Sequence, residues 1–193
     1  MKRTTMAISA RLTILIMILL IFGCSEESVA PAADDAGEGE LITTVELRLV
    51  ESGLNQTTVY WRDLDGDGGS NPVIDTLILG SGFTYDGAVR LLNESETPTE
   101  DITAEVSEED DNHQLFYDVQ GDIAGQVTVT VTDSDSRGFP LGLDLQVTVD
   151  AGAAGSEGQL RVRLFHYDDA GDKDGTSFSD ETDVDVVFPV RIQ

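Results

Sequence analysis

Cysteine is nearly absent from this chain, because Cys24 is the only one among its 193 residues. A single cysteine cannot form an intramolecular disulfide. It also excludes a thiol nucleophile elsewhere in the chain, and it leaves no cysteine ligand for a metal site in the folded part. Any chemistry of the folded part therefore has to come from other side chains.

Basic residues are scarce as well. The chain has 11 Lys and Arg against 37 Asp and Glu, a formal charge of −26. Lys2, Arg3 and Arg11 lie in the first 23 residues, which contain no acid, so 8 basic and 37 acidic residues remain beyond them, a charge of −29. This charge repels nucleic acid and anionic lipid surfaces, which excludes nucleic-acid binding. It attracts divalent cations and basic partners, and it also keeps a protein soluble in a salty medium.

The motifs of common enzyme classes are missing. A Ser-His-Asp triad would need His113 or His166, the two histidines of the chain, as its base, and no Gly-x-Ser-x-Gly turn is present. The chain has no phosphate-binding loop and no dinucleotide fingerprint. A pair of catalytic carboxylates, as in glycosidases, is not excluded, because the chain has many acidic residues. The sequence therefore predicts no enzyme activity.

The two histidines allow two interpretations. His113 begins one predicted strand, and His166 ends another, with the parity of the apolar Leu160, Val162 and Leu164. A histidine pair can bind a transition metal, but HxH and HxxxH spacings are missing. The alternative is one hydrogen-bonded histidine at the rim of the fold and one exposed histidine.

The first 23 residues have the layout of a secretory signal peptide. Lys2 and Arg3 are followed by an apolar run over residues 12–22, which is too short for a comfortable membrane span. The segment Ile21-Phe22-Gly23-Cys24 resembles the lipobox of bacterial lipoproteins, a family in which the signal is cut before the cysteine and lipid is attached to it. The resemblance implies a lipid anchor on Cys24. The alternative is an ordinary signal peptide followed by an incidental cysteine.

The residues after Cys24 are typical of a tether. Residues 28–40 are rich in Ala, Pro, Gly, Asp and Glu and have little to bury. Ser25-Glu26-Glu27 is similar to the short acidic signal with which one Gram-negative phylum sends lipoproteins to the outer face of the outer membrane. We therefore expect a signal peptide at residues 1–23, a lipidated cysteine with a flexible acidic tether at 24–40, and a folded domain at 41–193. The expected location is the outer membrane, with the domain at the cell surface or, as the alternative, facing the periplasm.

Alternation of apolar and polar residues dominates the rest of the chain and predicts eight or nine antiparallel strands, each with one buried face. Val45, Leu47 and Leu49 are an example. Turns rich in Gly, Asp and Ser separate the strands. The pattern favours a single all-β domain, an antiparallel β-sandwich of the Ig-like or Greek-key type, and a closed β-barrel is the alternative. Pro189 removes a ladder hydrogen bond, so the last strand is expected at an edge or with a bulge.

One segment departs from the alternation. Residues 97–100, Thr-Pro-Thr-Glu, have the form of a capping box with Pro98 at the first helical position. Ile102 and Val106 are four residues apart and would share one face of a helix. The segment predicts one short helix over residues 98–111. The alternative is a strand, because Ile102, Ala104 and Val106 also alternate.

The sharpest local motif lies at residues 63–75. Carboxylates at alternate positions followed by glycine resemble the first half of a calcium loop, in which several oxygens converge on one hard cation. Ile74 stands where a helix–loop–helix site has its bidentate Glu, and the flanking residues are strand-like. The motif predicts a strand–loop–strand calcium site, and the alternative is a plain acidic turn. The candidate ligands are Asp63, Asp65, Asp67, Asn71 and Asp75.

Two further loops are acidic and rich in glycine or serine. The first, at residues 133–138, has Arg137 where a third oxygen would help. The second covers residues 168–175. If two such loops lie at the same end of the sandwich, they could share a cation. The secondary candidate ligands are Asp133, Asp135, Asp169, Asp172 and Asp174.

Several segments together resemble a group of small outer-membrane lipoproteins from the same Gram-negative phylum, a group without an established activity. The resemblance implies the location and the fold and assigns no catalytic residue. The segments are residues 40–45, 62–69, 91–95 and 101–103, His113-Gln114, and the strand that contains Phe188-Pro189-Val190.

The sequence thus predicts a lipid-anchored module for binding or structural interaction. Calcium is its candidate cofactor, and its partners are the membrane, through Cys24, and a protein or a cation. The alternative function is an accessory protein that handles a cation or a basic ligand. A hydrolase that uses acidic residues is the third hypothesis.

Overall fold

Eleven strands and one helix make up the part of the chain that the computed structural model describes, residues 40–51, 55–66 and 69–193. These residues belong to one compact unit. The predicted signal peptide, Cys24, the tether up to residue 39 and Asp67 lie outside the described residues. The elements are β1 Thr44–Glu51, β2 Asn55–Arg62, β3 Val73–Ile74, β4 Leu77–Leu79, β5 Thr84–Asn93, β6 Glu100–Asp101, α1 Ile102–Glu108, β7 His113–Gly121, β8 Val127–Val131, β9 Asp144–Val149, β10 Glu157–His166 and β11 Glu181–Ile192.

The strands form two sheets. The first has the order β3-β2-β1-β5-β9-β8, with β6 added to β5, and the second has the order β4-β11-β10-β7. Neither sheet closes into a barrel over the described residues. The predicted all-β sandwich is therefore confirmed, and the barrel alternative is wrong. The pairs are antiparallel except β4 with β11, which is parallel.

The core lies between the sheets and follows the alternation of the sequence. Leu47 and Leu49 of β1 face it from the first sheet, and Leu164 and Phe188 face it from the second, all fully buried. Gly87 of β5 pairs with Leu49 in the first sheet. A Cβ at Gly87 would lie 2.5 Å from Leu49 Cδ2, so the leucine fills the space that a side chain would need. Close packing of this kind stabilises the sandwich without a disulfide.

The predicted helix exists but is shorter than expected. It begins at Ile102 instead of residue 98 and ends at Glu108, with Ile102 and Val106 buried as predicted. Glu100 and Asp101 instead form β6, which pairs with Leu92 and Asn93. Strand pairing has overridden the local capping signal, because its backbone hydrogen bonds satisfy groups that a helix start would leave free. No helix in the described part of the chain is long and apolar enough to cross a membrane.

The last strand, β11, is bulged, one of the two alternatives that Pro189 predicted, but it is not an edge strand, because it lies between β4 and β10. Pro189 pairs with Gln159 of β10, and β4 starts only opposite Val190, so the other side of Pro189 has no strand among the described residues. The bulge lies at the beginning of β11, where the register with β10 shifts between Leu164 and Phe165. Bulges of this kind re-aim side chains.

A buried ion pair joins two of the long loops. Lys173 Nζ lies 2.9 Å from Asp135 Oδ2, and both side chains are fully buried. Lys173 also donates a hydrogen bond of 2.7 Å to the carbonyl of Asp110. Burial opposes ionisation of Asp135, but the hydrogen bond and charge of Lys173 outweigh it and keep the pKa of that carboxyl below its ordinary value.

Replacing Lys173 with methionine should lower the free energy of unfolding by about 3–5 kcal/mol, because it leaves the Asp135 carboxylate buried without its cation. Chemical denaturation of the two proteins measures the difference. The matched control is Arg191→Met, which breaks an exposed pair with Glu157 and should cost about 1 kcal/mol or less. Equal losses in the two variants would contradict a special role for the buried pair.

Candidate metal centre

Strand register brings the two histidines together. His113 is the first residue of β7, His166 is the last residue of β10, and the two are direct partners in the antiparallel ladder. His166 Nδ1 lies 3.1 Å from His113 Nε2. The rings meet edge to face, with centroids 4.6 Å apart. The prediction that His166 faces inward at the end of its strand leads to this pair, although 53 residues separate the two in sequence.

The bulge in β11 adds an aspartate to the pair. Leu164 of β10 pairs with Val184 and Phe165 pairs with Thr182, so Asp183 between them has no partner in β10. Strict alternation with the buried Val184 would place Asp183 on the opposite face of the strand. Its side chain is nevertheless fully buried, and Oδ2 lies 4.0 Å from His113 Nε2.

Glu40 supplies a second carboxylate from the segment that precedes β1. Its Oε1 lies 2.9 Å from His113 Nε2, and its side chain is 13% exposed. The sequence predicted Glu40 at the end of a flexible tether, because the residues before it are small or polar and have little to bury. Its contact with a fully buried histidine makes it part of the folded domain.

Together these four side chains have the arrangement of a metal site. Glu40, His113, His166 and Asp183 each offer one ligand atom, and the four atoms lie within 4.8 Å of one another. Ligand atoms around a tetrahedral zinc ion, with bonds of about 2.0–2.1 Å, are separated by about 3.3 Å. The separations of 2.9, 3.1 and 4.0 Å around His113 Nε2 are close to this value. Small side-chain shifts would complete the geometry.

A backbone carbonyl orients His113 in the way that metal-bound histidines are oriented. His113 Nδ1 is 3.1 Å from the carbonyl oxygen of Glu109. A carbonyl only accepts, so Nδ1 carries the hydrogen and Nε2 is the atom directed at the cluster. Nε2 then faces the Glu40 carboxylate and a His166 nitrogen at once. A proton on Nε2 can form a good hydrogen bond to only one of these two neighbours, whereas a metal cation attracts all three groups.

The charged groups of the cluster shift one another's pKa. Burial raises the pKa of Asp183 to about 7, helped by the charge of Glu40 and opposed by that of His113. Burial also opposes ionisation of Glu40, but the hydrogen bond and charge of His113 keep the Glu40 pKa below its ordinary value. For His113, burial would lower the pKa, but the hydrogen bond to Glu40 and the charge of Glu40 raise it. A proton thus stabilises the cluster, and a divalent metal would displace it.

Unpartnered oxygens concentrate at this cluster. Among the described residues, five buried side-chain oxygens have no hydrogen-bond partner, and three of them are Oδ1 and Oδ2 of Asp183 and Oε2 of Glu40. The other two are Oε1 of Gln114 and the Asp135 oxygen that lies beside Lys173. Leaving a buried charged group without a partner costs several kcal/mol. The donor set of two histidines and two carboxylates fits zinc and related ions.

A hollow opens beside the cluster, between the start of β11, the segment that precedes β1 and the end of β2. Its volume is about 760 Å³, and it reaches both Glu40 and Asp183. Trp61 and the beginning of the predicted calcium loop, residues 63–66, form part of its wall. The hollow therefore lies between the predicted loop and two residues of the cluster, Glu40 and Asp183, that the sequence did not single out.

In the predicted calcium loop, the described carboxylates accept hydrogen bonds from backbone amides. Asp63 Oδ1 accepts from the amide of Gly66, and Asp65 Oδ2 accepts from the amide of Ser70, at 3.0 and 2.9 Å. Asp75 Oδ2 accepts from the amide of Tyr60 at 3.0 Å. Asn71 is exposed, and Asp67 lies outside the described residues. These bonds are typical of acidic turns, and calcium binding here stays a prediction.

The two secondary loops do meet. Arg137 donates to the carbonyl oxygens of Ala170 and Lys173, and Lys173 neutralises Asp135. At this junction the cations are side chains of the chain itself.

The other secondary candidates cap turns or lie in the solvent. Asp133 accepts hydrogen bonds from the amides of Gly142 and Leu143. Asp169 accepts from the amide of Gly171, and Asp174 from the amides of Thr176 and Ser177. Asp172 is exposed in a short 3-10 turn. A metal site at any of these residues stays a prediction.

Asp183→Asn should stabilise the chelator-treated protein by about 1–3 kcal/mol, because it removes a buried charge and adds an N–H that can donate to Glu40. Thermal unfolding in EDTA measures this difference. Asp185→Asn is the control, since the Asp185 side chain is 38% exposed and pairs with Arg161, and its loss should cost at most about 1 kcal/mol. A lower melting temperature for Asp183→Asn would mean that the carboxylate is already satisfied in the folded chain.

Comparison with known proteins gives no assignment. No protein-family profile, no curated protein and no solved structure matches this chain.

Proposed function

We propose that the chain is a lipid-anchored protein of the outer membrane whose β-sandwich binds a divalent transition metal, zinc first, at Glu40, His113, His166 and Asp183. The observation that carries the proposal is Asp183, an aspartate whose side chain is fully buried, with two unpartnered oxygens beside two histidine nitrogens. A bound cation would neutralise the two carboxylates and give those oxygens a partner.

The donor atoms decide which metal is expected. Calcium and magnesium prefer six or more oxygens, whereas imidazole nitrogen suits zinc, copper, nickel and iron. Two nitrogens and two carboxylates within 4.8 Å make a small four-coordinate set, which is the usual size of a zinc site. If all four residues bind the ion, the site is closed, so the proposed role is metal binding rather than catalysis.

The location follows from the first residues of the chain rather than from the cluster. Signal-peptide layout, a lipobox-like segment at Cys24 and an acidic stretch after it support a lipid anchor. The excess of acidic residues supports a role at a surface rich in cations. Handling of a cation, the alternative that the sequence offered, thus becomes the main proposed function.

Zinc should raise the melting temperature of the wild-type protein and leave that of His166→Gln unchanged. A ligand at a hundred times its dissociation constant stabilises the folded state by about 2.7 kcal/mol, or about 5–10 °C for a domain of this size. Differential scanning fluorimetry of a fragment that starts before Glu40 measures the shift, and isothermal titration calorimetry gives the stoichiometry.

The same titration with calcium separates the two metal hypotheses. A rise with calcium that Asp63→Asn and Asp65→Asn abolish would assign the metal to the loop at residues 63–75. A rise with zinc that these variants keep and His166→Gln loses is the expected result. Zinc binding by wild type and His166→Gln with equal affinity would refute the proposed site.

The lipid anchor has its own test. In a Gram-negative host, the wild-type chain should label with radioactive palmitate and sediment with the outer membrane. Cys24→Ser should lose the label and move to the soluble periplasmic fraction, because no other cysteine can carry the lipid. An unlabelled wild-type chain, or a Cys24→Ser variant that still sediments, would show that the cysteine is not the anchor.

A further inference from the structure

Lys173 has an unusual position for a lysine. Apart from Lys2 it is the only lysine of the chain, and its side chain is fully buried, although lysine is among the residues that proteins bury least. The other permanent positive charges of the domain are arginines. Arginine stays protonated in proteins, whereas a lysine amine that loses its proton in a buried site becomes a nucleophile. Lys173 can therefore take part in chemistry that the arginines cannot.

Asp135 presents a polarised carboxyl group to this amine. Its Oδ1 accepts hydrogen bonds from the backbone amides of Arg137 and Phe139, at 2.9 and 2.7 Å. Its Oδ2 lies 2.9 Å from Lys173 Nζ, but no described group gives this oxygen a well-directed hydrogen bond. Two amides on one oxygen have the arrangement of an oxyanion hole, which stabilises the negative oxygen of a tetrahedral intermediate. The carboxyl carbon of Asp135 is thus prepared for attack by a nucleophile.

The amine is held in place from its other side. Lys173 Nζ donates a hydrogen bond of 2.7 Å to the carbonyl oxygen of Asp110. The carboxylate of Asp110 accepts hydrogen bonds from the amide and the hydroxyl of Ser136, the residue next to Asp135. These contacts fix the amine and the carboxyl group against each other. Well-oriented intramolecular reactions have effective molarities of up to about 10⁸ M.

Burial favours a covalent bond between the two groups. Both side chains have no accessible surface, so the ion pair lacks the water that stabilises separate charges. Transfer of a proton from Nζ to Oδ2 removes both charges and leaves a neutral amine beside a neutral acid. Exclusion of water also protects an amide product from hydrolysis. The ion pair of the structure is the starting state for such a product.

From these observations we propose that Lys173 and Asp135 condense to an isopeptide bond, an autocatalytic modification that cross-links the loops at residues 133–138 and 168–175. Nζ passes one proton to Oδ2 and attacks Cγ, so the C–N bond forms while the carbonyl electron pair moves to Oδ1. When that pair returns, the Cγ–Oδ2 bond breaks, and Oδ2 leaves as water with a second proton from Nζ. The third hydrogen of Nζ stays on the new amide and donates to the carbonyl of Asp110.

The cross-link takes the place of a disulfide. Cys24 is the only cysteine of the chain, so the domain has no disulfide with which to join distant loops, a common device of exported domains. An isopeptide bond between two loops likewise restricts the unfolded chain. It uses none of the residues of the metal cluster, so this inference goes beyond metal binding and does not depend on it.

A tryptic map of the full chain, purified from a Gram-negative host and denatured before digestion, tests the bond. Trypsin does not cleave after a lysine whose amine is acylated. We expect a branched product that joins residues 91–137 to residues 164–191, lighter than the two peptides together by one water, about 18 Da. Fragmentation of this product should place the link on Asp135. A free Lys173 would instead give a peptide that ends at residue 173.

Variants show whether the link needs both partners. Asp135→Ala and Lys173→Met should give unlinked peptides only. Asp169→Ala is the matched control, because it removes an exposed carboxylate from the loop that carries Lys173, and it should keep the branched product. Reductive methylation of the denatured chains should label Lys173 in Asp135→Ala but not in wild type. If the first two variants do not fold, the map of the wild type decides alone.

The outcomes that contradict the proposal are equally direct. Linear peptides alone in the wild type, with a Lys173 amine that methylates after denaturation, would overturn it. A link from Lys173 to any carboxylate other than Asp135 would do the same. The map should be identical after growth with added zinc or with chelator, and a failure of zinc to bind would leave the result unchanged.

Discussion

The hydrogen-bond ladder of β10 is the constraint on which the candidate site depends. On one side, its register with β7 places His166 directly opposite His113. On the other side, its register with β11 slips at residues 164 and 165 and leaves Asp183 unpaired. A slip of one residue on either side would move the side chains to the other face of the sheet. The inward rows Leu160, Val162 and Leu164 prevent such a slip, because the whole core would move with them.

The fold could be predicted largely from alternation, because burial of one face of each strand leaves a period of two in the sequence. Leu47, Leu49 and Leu164 are buried for this reason. The start of the helix could not be predicted in the same way. Residues 97–100 contain a good local capping signal, but Glu100 and Asp101 pair with β5, and a pairing partner seven or nine residues away is not visible in a capping motif.

The candidate site could be predicted only in part. The strand-end positions of His113 and His166 carried a usable signal, since parity directed His166 inward. The sequence around Asp183 carried no such signal, because burial of Asp183 depends on the bulge in β11, which is a property of its pairing with β10. The composition around Glu40 gave no sign of its role, since Glu40 ends a stretch that is typical of tethers. The motif at residues 63–75 was conspicuous in sequence, yet its described carboxylates accept hydrogen bonds from backbone amides, which is the local chemistry that makes Asp common in turns.

Two carboxylates with buried side chains, Asp135 and Asp183, differ in how their negative charge is balanced. Asp135 has its cation within the chain, at Lys173 Nζ, and accepts hydrogen bonds from the amides of Arg137 and Phe139 as well. Asp183 has neither a lysine nor an arginine beside it, and its two oxygens have no donor among the described residues. A chain with 37 acidic and 11 basic residues has few internal cations to distribute. We therefore propose that a cation from the solution balances the buried carboxylate of Asp183, and the His113–His166 pair is the reason why that proposal favours a transition metal over calcium.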